Sequence, residues 1–145
     1  MGTMLEKIRR MLDEGADPPP VARLIGFTLG DVAEGRAVIR LQSGPQHANP
    51  MGTLHGGILC DIADAAMGIA WATLLDEGES YTTLELKINF LRPAWNAALA
   101  AEGRVIHSGR TIGLLDARVT DETGRLIAFA TSTCMTLRGE KAANR

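Results

Sequence analysis

The run from Ile58 to Leu75 constrains this chain most, because nearly every residue in it is apolar or small. Such a run predicts a helix that is buried on all sides and about 27 Å long, at a rise of roughly 1.5 Å per residue. Two carboxylates, Asp61 and Asp64, interrupt it. A buried carboxylate is costly unless it is paired, hydrogen-bonded or protonated, so each of them needs an explanation.

The two carboxylates are assigned different roles because they lie at different positions along the helix. Asp61 follows His55-Gly56-Gly57 closely enough to lie in the first turns, where the helix dipole favours negative charge, and we interpret it as a solvated cap. Asp64 lies a turn deeper among alanines, where no capping is available, so we predict a functional role for it. A membrane span is excluded, because each aspartate near a helix centre would cost roughly 2.5 to 3.5 kcal/mol in lipid.

Composition restricts the class of protein. The chain has 145 residues, 46% of them hydrophobic and 22% charged, which is typical of one soluble domain. A net charge of −2, without a basic run or zinc-finger or phosphate-loop spacing, argues against nucleic acid as a partner. Cys60 and Cys134 are expected to be free thiols in a reducing compartment. Because the first seven residues lack an apolar signal core, we expect a cytoplasmic protein.

Periodicity and chain breakers predict the elements before the central helix. Apolar residues at helical spacing predict an amphipathic helix over 3–14. Pro18-Pro19-Pro20 then interrupts regular secondary structure. Residues 24–29 and 36–41 are predicted as two hairpinned strands. Residues 42–54 form a loop of the length that often carries function.

Strands are predicted after the central helix. Apolar residues at every second position of 84–90 predict a half-buried strand that ends at Arg92-Pro93. Three more strands follow, separated by turns at 108–110 and 121–124. Strands joined by short turns form an antiparallel sheet, and an apolar helix needs that sheet wrapped around it. The predicted fold class is therefore α+β.

Four motifs together indicate a family. They are Asn49-Pro50, His55-Gly56-Gly57, Asp64-Ala65-Ala66 and the strand end Asn89-Phe90-Leu91-Arg92-Pro93-Ala94. Over roughly residues 20–137 the chain resembles the hotdog-fold acyl-CoA thioesterases of the PaaI-like (phenylacetate-pathway) branch. The resemblance implies a hotdog domain over 21–138, after an N-terminal helix and Pro-rich connector in 1–20 and before a tail at 139–145.

The resemblance implies hydrolysis of an acyl-CoA thioester to a free acid and CoA, with no metal and no cofactor. It also implies a homo-oligomer, a dimer whose active sites each use both subunits and a dimer of dimers beyond it. We expect Asp64 and Thr83 to come from different subunits. Aryl and medium-chain acyl groups both suit the pocket walls that we expect, which are Met51, Leu54, Met67 and Trp71.

Thioester chemistry and the resemblance assign the candidate catalytic residues. Hydrolysis needs a base or nucleophile near the carbonyl carbon, and donors where negative charge develops on the carbonyl oxygen. Free N–H groups of Gly56 and Gly57 at the helix N-terminus supply donors, and by the resemblance Gly56 takes the oxyanion role. The resemblance makes Asp64 the base or nucleophile. Asn49 would orient the water or the carbonyl and His55 would position the thioester, while simple turn-forming roles for both stay open.

A hydroxyl that assists the carboxylate is ambiguous by one residue. The resemblance places it on Thr83 by counting back from Pro93, and on Thr82 by counting forward from Asp64. The two side chains lie on opposite faces of the strand, so at most one is right. We favour Thr83, because an insertion in the loop at 76–80 costs little, whereas a shift within the strand would flip its core face.

Arginines are the candidates for CoA recognition, because the planar guanidinium matches phosphate. By the resemblance Arg110, with Gly109 and Thr111 in the same turn, and Arg92 line the CoA channel, and Arg138 is a further candidate. An ordinary surface role for these arginines stays open.

Two other functions share this fold. A hotdog hydratase or dehydratase relies on a catalytic His and acid in another arrangement, which these residues match poorly. A non-catalytic acyl-CoA sensor usually appends a DNA-binding module, for which residues 1–20 are too short.

Overall fold

One antiparallel sheet and one long helix make up most of the molecule. A computed structural model of the chain describes residues 3–145. The elements in chain order are α1 (Met4–Asp13), α2 (Pro20–Ile25), β1 (Thr28–Ala33), β2 (Arg36–Gln42), a 3-10 turn (Pro45–His47), α3 (Gly56–Ala72), β3 (Ser80–Phe90), β4 (Ala98–Ser108), β5 (Ile112–Thr120), β6 (Leu126–Leu137) and α4 (Glu140–Ala143). The strand order is β1-β2-β4-β5-β6-β3, so β1 and β3 are the edges. This architecture confirms the predicted α+β class.

The core lies where α3 crosses the curved sheet. One side of the helix, with Ile62, Ala66 and Met67, is fully buried against strands β2 to β6. Close approach requires glycine on the sheet, because a Cβ at Gly103 would lie 2.5 Å from the Ala66 carbonyl carbon and oxygen. The Trp71 ring likewise occupies the space above Gly113. Glycines on the sheet thus determine how closely α3 approaches the strands.

The exposed side of α3 corrects one prediction. The helix runs over Gly56–Ala72 instead of 58–75, and it is buried on one side only. Asp64 is exposed, and Cys60 and Asp61 are half-buried. Cys60 and Cys134 are both free thiols, as predicted. Among residues 3–145, no helix is long and apolar enough to cross a bilayer.

The N-terminal helix is confirmed, whereas the start of the first predicted strand is wrong. Thr3 caps α1, since its Oγ1 accepts from Glu6 N–H at 3.3 Å and Glu6 Oε2 accepts from Thr3 N–H at 2.8 Å. Leu24 and Ile25, predicted as the start of a strand, belong instead to the helix α2, because Pro20 occupies the first helical position and Gly26 ends the helix at φ 95°. The first strand, β1, begins at Thr28 and forms the predicted hairpin with β2.

The strand β3 is longer than predicted and carries a bulge. It spans Ser80–Phe90 and pairs only with β6. The register shifts between Thr83 and Glu85, which leaves Leu84 52% exposed. Leu86 and Ile88 remain packed against the core. The bulge therefore breaks the simple alternation on which the prediction was based.

Candidate active site

Asp64 and Thr83 meet on the exposed side of α3. Thr83 Oγ1 donates to Asp64 Oδ1 at 2.9 Å, and within residues 3–145 no protein group donates to Oδ2. Both residues belong to one chain, so our expectation that different subunits supply them is wrong. The reason is topological, because the edge strand β3 lies directly beside α3. Thr82 is directed elsewhere and accepts from Arg145 Nη1 at 3.4 Å.

The start of α3 presents one free backbone donor. His55 is the N-cap, and its Nδ1 accepts from Gly57 N–H at 2.9 Å. Gly57 is therefore not available as a donor to a ligand, which corrects the prediction that both glycine N–H groups are free. Across the described part of the chain, the N–H of Gly56 has no hydrogen-bond acceptor. Phe90 lies over this position, since a Cβ at Gly56 would be 2.8 Å from Phe90 Cζ.

Asn49 is held mainly by its own loop. Its Oδ1 accepts from the N–H groups of Met51 at 3.0 Å and Thr53 at 3.2 Å, and its Nδ2 donates to Thr53 Oγ1 at 2.7 Å. This geometry is an Asx turn, the structural role left open by the sequence. One Nδ2 hydrogen remains for a ligand.

His47 is a structural residue of the site that sequence reasoning missed. Its Nδ1 accepts from Gly44 N–H at 3.0 Å, so Nε2 carries the proton and donates to Ile25 O at 2.6 Å. The His47 carbonyl also accepts from His55 N–H at 2.8 Å. These bonds join α2 to the N-cap of α3. The sequence signal was only that a histidine lies in the predicted functional loop.

A cavity of about 360 Å³ adjoins the helix start. Its walls include Asn49, Leu54, Gly56, Phe90 and Arg92. Two of the four expected acyl walls are wrong, because Met67 is fully buried and Trp71 is 2% exposed. Met51 is 82% exposed in one chain, so its place in the wall stays a prediction. Of the four, only Leu54 borders the cavity.

The helix separates the candidate residues into two groups. Asp64 does not border the cavity beside Gly56. Asp64 follows Gly56 by eight positions, which is about 12 Å along the helix axis. One chain therefore carries two half-sites, the donor half-site at Gly56 and the carboxylate half-site at Asp64.

Asp61 is not a helix cap, which corrects our interpretation. The N–H groups that a cap could bind lie in the first turn of the helix. Asp61 follows the N-cap His55 by six residues and is therefore beyond that turn. Burial, and secondly the charge of Asp64, raise the pKa of Asp61. No group of three or more His, Cys, Asp or Glu residues in 3–145 could hold a metal ion.

The Arg138 side chain is held by hydrogen bonds within the described residues, whereas the Arg110 side chain is not. Arg138 Nε donates to Glu79 Oε1 at 2.6 Å, and Nη2 donates to the Arg110 carbonyl at 2.7 Å. Its Nη1 reaches Thr111 Oγ1 at 3.5 Å. The Arg110 side chain is exposed, and among residues 3–145 it makes no ion pair or hydrogen bond. Gly109 closes the turn by donating its N–H to Ile112 O at 2.9 Å.

Arg92 and Arg110 lie at opposite ends of the sheet. Arg92 N–H donates to Ile127 O, whereas Thr111 O accepts from Thr136 N–H. Ile127 and Thr136 are nine positions apart along β6, which corresponds to about 30 Å. The structure therefore does not bring the two arginines together within one chain.

Comparison with known proteins identifies the family. The thioesterase superfamily matches residues 51–128, more than half of the chain. The chain belongs to the thioesterase superfamily. This thioesterase is 29% identical over 109 residues to the 1,4-dihydroxy-2-naphthoyl-CoA hydrolase of Listeria monocytogenes, covering 75% of this chain and 89% of the relative.

Two solved structures match the whole thioesterase fold. The phenylacetic acid degradation-related protein of Ralstonia eutropha JMP134 superposes with a TM-score of 0.80 at 31% identity, covering 88% of this chain and 97% of that one. The E. coli PaaI protein superposes with a TM-score of 0.82 at 23% identity, covering 94% and 98%. The predicted resemblance to PaaI-like hotdog thioesterases is confirmed, and the protein is a thioester hydrolase.

Proposed function

We propose that this thioesterase hydrolyses an acyl-CoA to a free acid and CoA, with Asp64 as its catalytic carboxylate. The observation that carries the proposal is the exposed Asp64 carboxylate, which is held at Oδ1 by Thr83 and has no partner at Oδ2 among residues 3–145. A CoA thioester as substrate is supported by the Listeria relative, which is named as a CoA-ester hydrolase. The free Gly56 N–H supplies the donor that such chemistry needs.

The two half-sites imply that a second copy completes each site. Gly56 and Asp64 of one chain are about 12 Å apart along the helix, too far for both to act on one carbonyl group. A two-fold pair with antiparallel α3 helices would place Asp64 of one subunit beside Gly56 of the other. The unpaired edge of β3, with Leu84 and Phe90 half exposed, supports pairing on this side.

The reaction follows from these groups. Asp64 Oδ2 takes a proton from a water molecule, whose oxygen forms a bond to the thioester carbon. The Gly56 N–H, at the positive end of the α3 dipole, stabilises the oxyanion. The C–S bond then breaks, and the CoA thiolate takes up the proton held by Asp64. Direct attack by Oδ2 on the carbonyl carbon is the second route: the C–S bond breaks, the CoA thiolate leaves and takes a proton from water, and water then hydrolyses the resulting anhydride to the free acid and the Asp64 carboxylate.

The cavity supports an aryl or medium-chain acyl group. Leu54, Leu59, Phe90 and Leu91 supply apolar wall, and the volume of about 360 Å³ lies near the lower end of ligand pockets, roughly 300 to 1,000 Å³. We further propose that Arg110, in its turn with Gly109 and Thr111, contacts the phosphates of CoA. Its exposed guanidinium, which has no partner within the described part of the chain, supports this assignment.

Substitution of Gly56 tests the oxyanion donor. Gly56→Pro removes the N–H, and proline suits the first helical position. Gly56→Ala is the matched control, because it keeps the N–H and introduces the same contact of Cβ with Phe90. We expect kcat of the proline variant to be lower than that of the alanine variant by about 10² to 10³. Equal kcat in the proline and alanine variants would mean that the Gly56 N–H plays no part in the reaction.

Mixed dimers test whether the site is shared. After subunit exchange between two inactive variants, Asp64→Asn and Gly56→Pro, each mixed dimer holds one site with both groups intact. We expect about a quarter of wild-type activity to return, since half of the dimers are mixed and each has one working site. Mixtures that remain inactive after proven exchange would mean that each chain forms its site alone.

A further inference from the structure

A buried thiol lies behind the hydroxyl that holds Asp64. Cys134 on β6 is directly paired with Thr83 on β3, and its Sγ is 3.9 Å from Thr83 Oγ1. The Cys134 side chain is fully buried, whereas Asp64 is exposed. Thr83 therefore bridges a thiol inside the core and a carboxylate on its surface.

The direction of this contact follows from the number of protons. A threonine hydroxyl has one hydrogen to donate, and Thr83 donates it to Asp64 Oδ1. The contact between Thr83 and Cys134 thus requires the thiol as donor. Burial raises the pKa of the Cys134 thiol, so the sulfur keeps its proton.

We infer that Cys134 is a positioning residue for thioester hydrolysis, which acts by donating its S–H to Thr83 Oγ1 while Thr83 donates to Asp64. The chain of donors holds the Thr83 hydroxyl in the rotamer that engages Oδ1, and this leaves Oδ2 as the oxygen free to react. The inference rests on the proposed role of Asp64. Since a thiol is a weak donor, its effect on the rate is modest.

Neighbouring Ser132 offers a matched control on the same face of β6. It is also fully buried, and its Oγ donates to Met67 Sδ at 3.3 Å. Ser132→Ala therefore removes a core hydroxyl that bonds to Met67 and also acts on the Cys134 thiol, while the thiol and the Thr83 hydroxyl themselves stay in place. We expect this variant to lose thermal stability and to keep kcat.

A double-mutant cycle tests the inference. Cys134→Ala should lower kcat about fivefold with KM nearly unchanged, and Cys134→Ser, which keeps a donor, should restore most of the loss. In a Thr83→Val background, Cys134→Ala should change kcat less than twofold, because the hydroxyl on which the thiol acts is gone. If the alanine variant does not fold, Cys134→Val removes the donor and leaves no cavity in place of the sulfur.

The outcomes separate this inference from the proposed function. An equal fall in kcat in both backgrounds would mean that Cys134 acts only through packing, and unchanged kcat in the wild-type background would also overturn the inference. Either result leaves the proposed function intact if Asp64→Asn is inactive. Full activity of Asp64→Asn would instead overturn the proposed function.

Discussion

Thr83 Oγ1 donates a 2.9 Å hydrogen bond to Asp64 Oδ1, which joins the edge strand β3 to the exposed face of α3. The two residues are 19 positions apart in the chain. The bond occupies one carboxylate oxygen and leaves the other free. A carboxylate that is fixed in place but still accessible at one oxygen is suited to act as a base.

Replacement of the two aspartates tests the choice of carboxylate. Asp64→Asn keeps the size of the side chain but removes the basic oxygen, so kcat should fall by at least about 10² with the melting temperature preserved. Asp61→Asn should keep most activity. Steady-state assays that follow the thioester absorbance measure both. An inactive Asp61→Asn beside an active Asp64→Asn would reverse our assignment.

The raised pKa of Asp61 predicts a pH-dependent effect on stability. Burial disfavours the charged form, so ionisation of Asp61 opposes folding at pH above its pKa in the folded protein. Asp61→Asn should therefore melt at a higher temperature than the wild type at neutral pH. The difference should shrink as the pH falls through that pKa, when the wild-type carboxyl becomes protonated. A variant less stable than the wild type at neutral pH would contradict this.

The neighbouring threonines of β3 form a natural pair of test and control. Thr83→Val removes the hydroxyl that holds Asp64 Oδ1, and we expect kcat to fall by about tenfold. Thr82→Val removes a hydroxyl that contacts only Arg145 within the described residues, so kcat should stay unchanged. Circular dichroism melts establish that both variants are folded. Loss of activity in Thr82→Val alone would show that the other register is correct.

Arg110 should affect binding of the nucleotide end of CoA and not the reaction itself. Arg110→Ala should raise KM for CoA esters and leave hydrolysis of a truncated thioester without the nucleotide nearly unchanged. Arg40→Ala, on β2 and in an exposed ion pair with Asp31, is the control arginine. Equal losses of Arg110→Ala on the two substrates would indicate a role in folding.

Gly103 should be intolerant of any side chain. Gly103→Ala places a Cβ against the Ala66 backbone, which only a displacement of α3 relieves, so we expect a destabilisation of about 1 to 3 kcal/mol. Gly30→Ala is the control, because the nearest atom to its Cβ is the flexible Arg40 side chain at 3.0 Å. Urea denaturation measures both. Similar stabilities would mean that α3 adjusts freely.

Asp121 should contribute to stability at neutral pH but not in strong acid. Hydrogen bonds, first that from the Thr123 hydroxyl and then those from Arg125, lower the pKa of Asp121 from 3.8 to about 2. Its contribution is complete above 3.8 and is lost as the pH falls to about 2. Asp121→Asn should therefore melt below the wild type at pH 6, with the difference disappearing near pH 2. A difference independent of pH would refute the assignment.

Local sequence patterns predicted an element correctly where side-chain period and turn residues were not opposed by another effect. The amphipathic α1, the run of α3 and the turns before β5 and β6 follow from side-chain period and turn residues. The prediction failed at α2, where proline at the first helical position outweighed an apolar run. It also failed at Leu84, where a bulge changed the phase of β3.

The sequence by itself determined that one helix carries two carboxylates and two glycines, and that a hydroxyl follows at Thr82 or Thr83. Tertiary structure decided which of these groups meet. It exposed Asp64, brought Thr83 to it within one chain, and placed Phe90 over Gly56. The physical reason is that period and turn chemistry specify the apolar face of each element, whereas contacts between elements depend on how the sheet curves and where the helix lies on it.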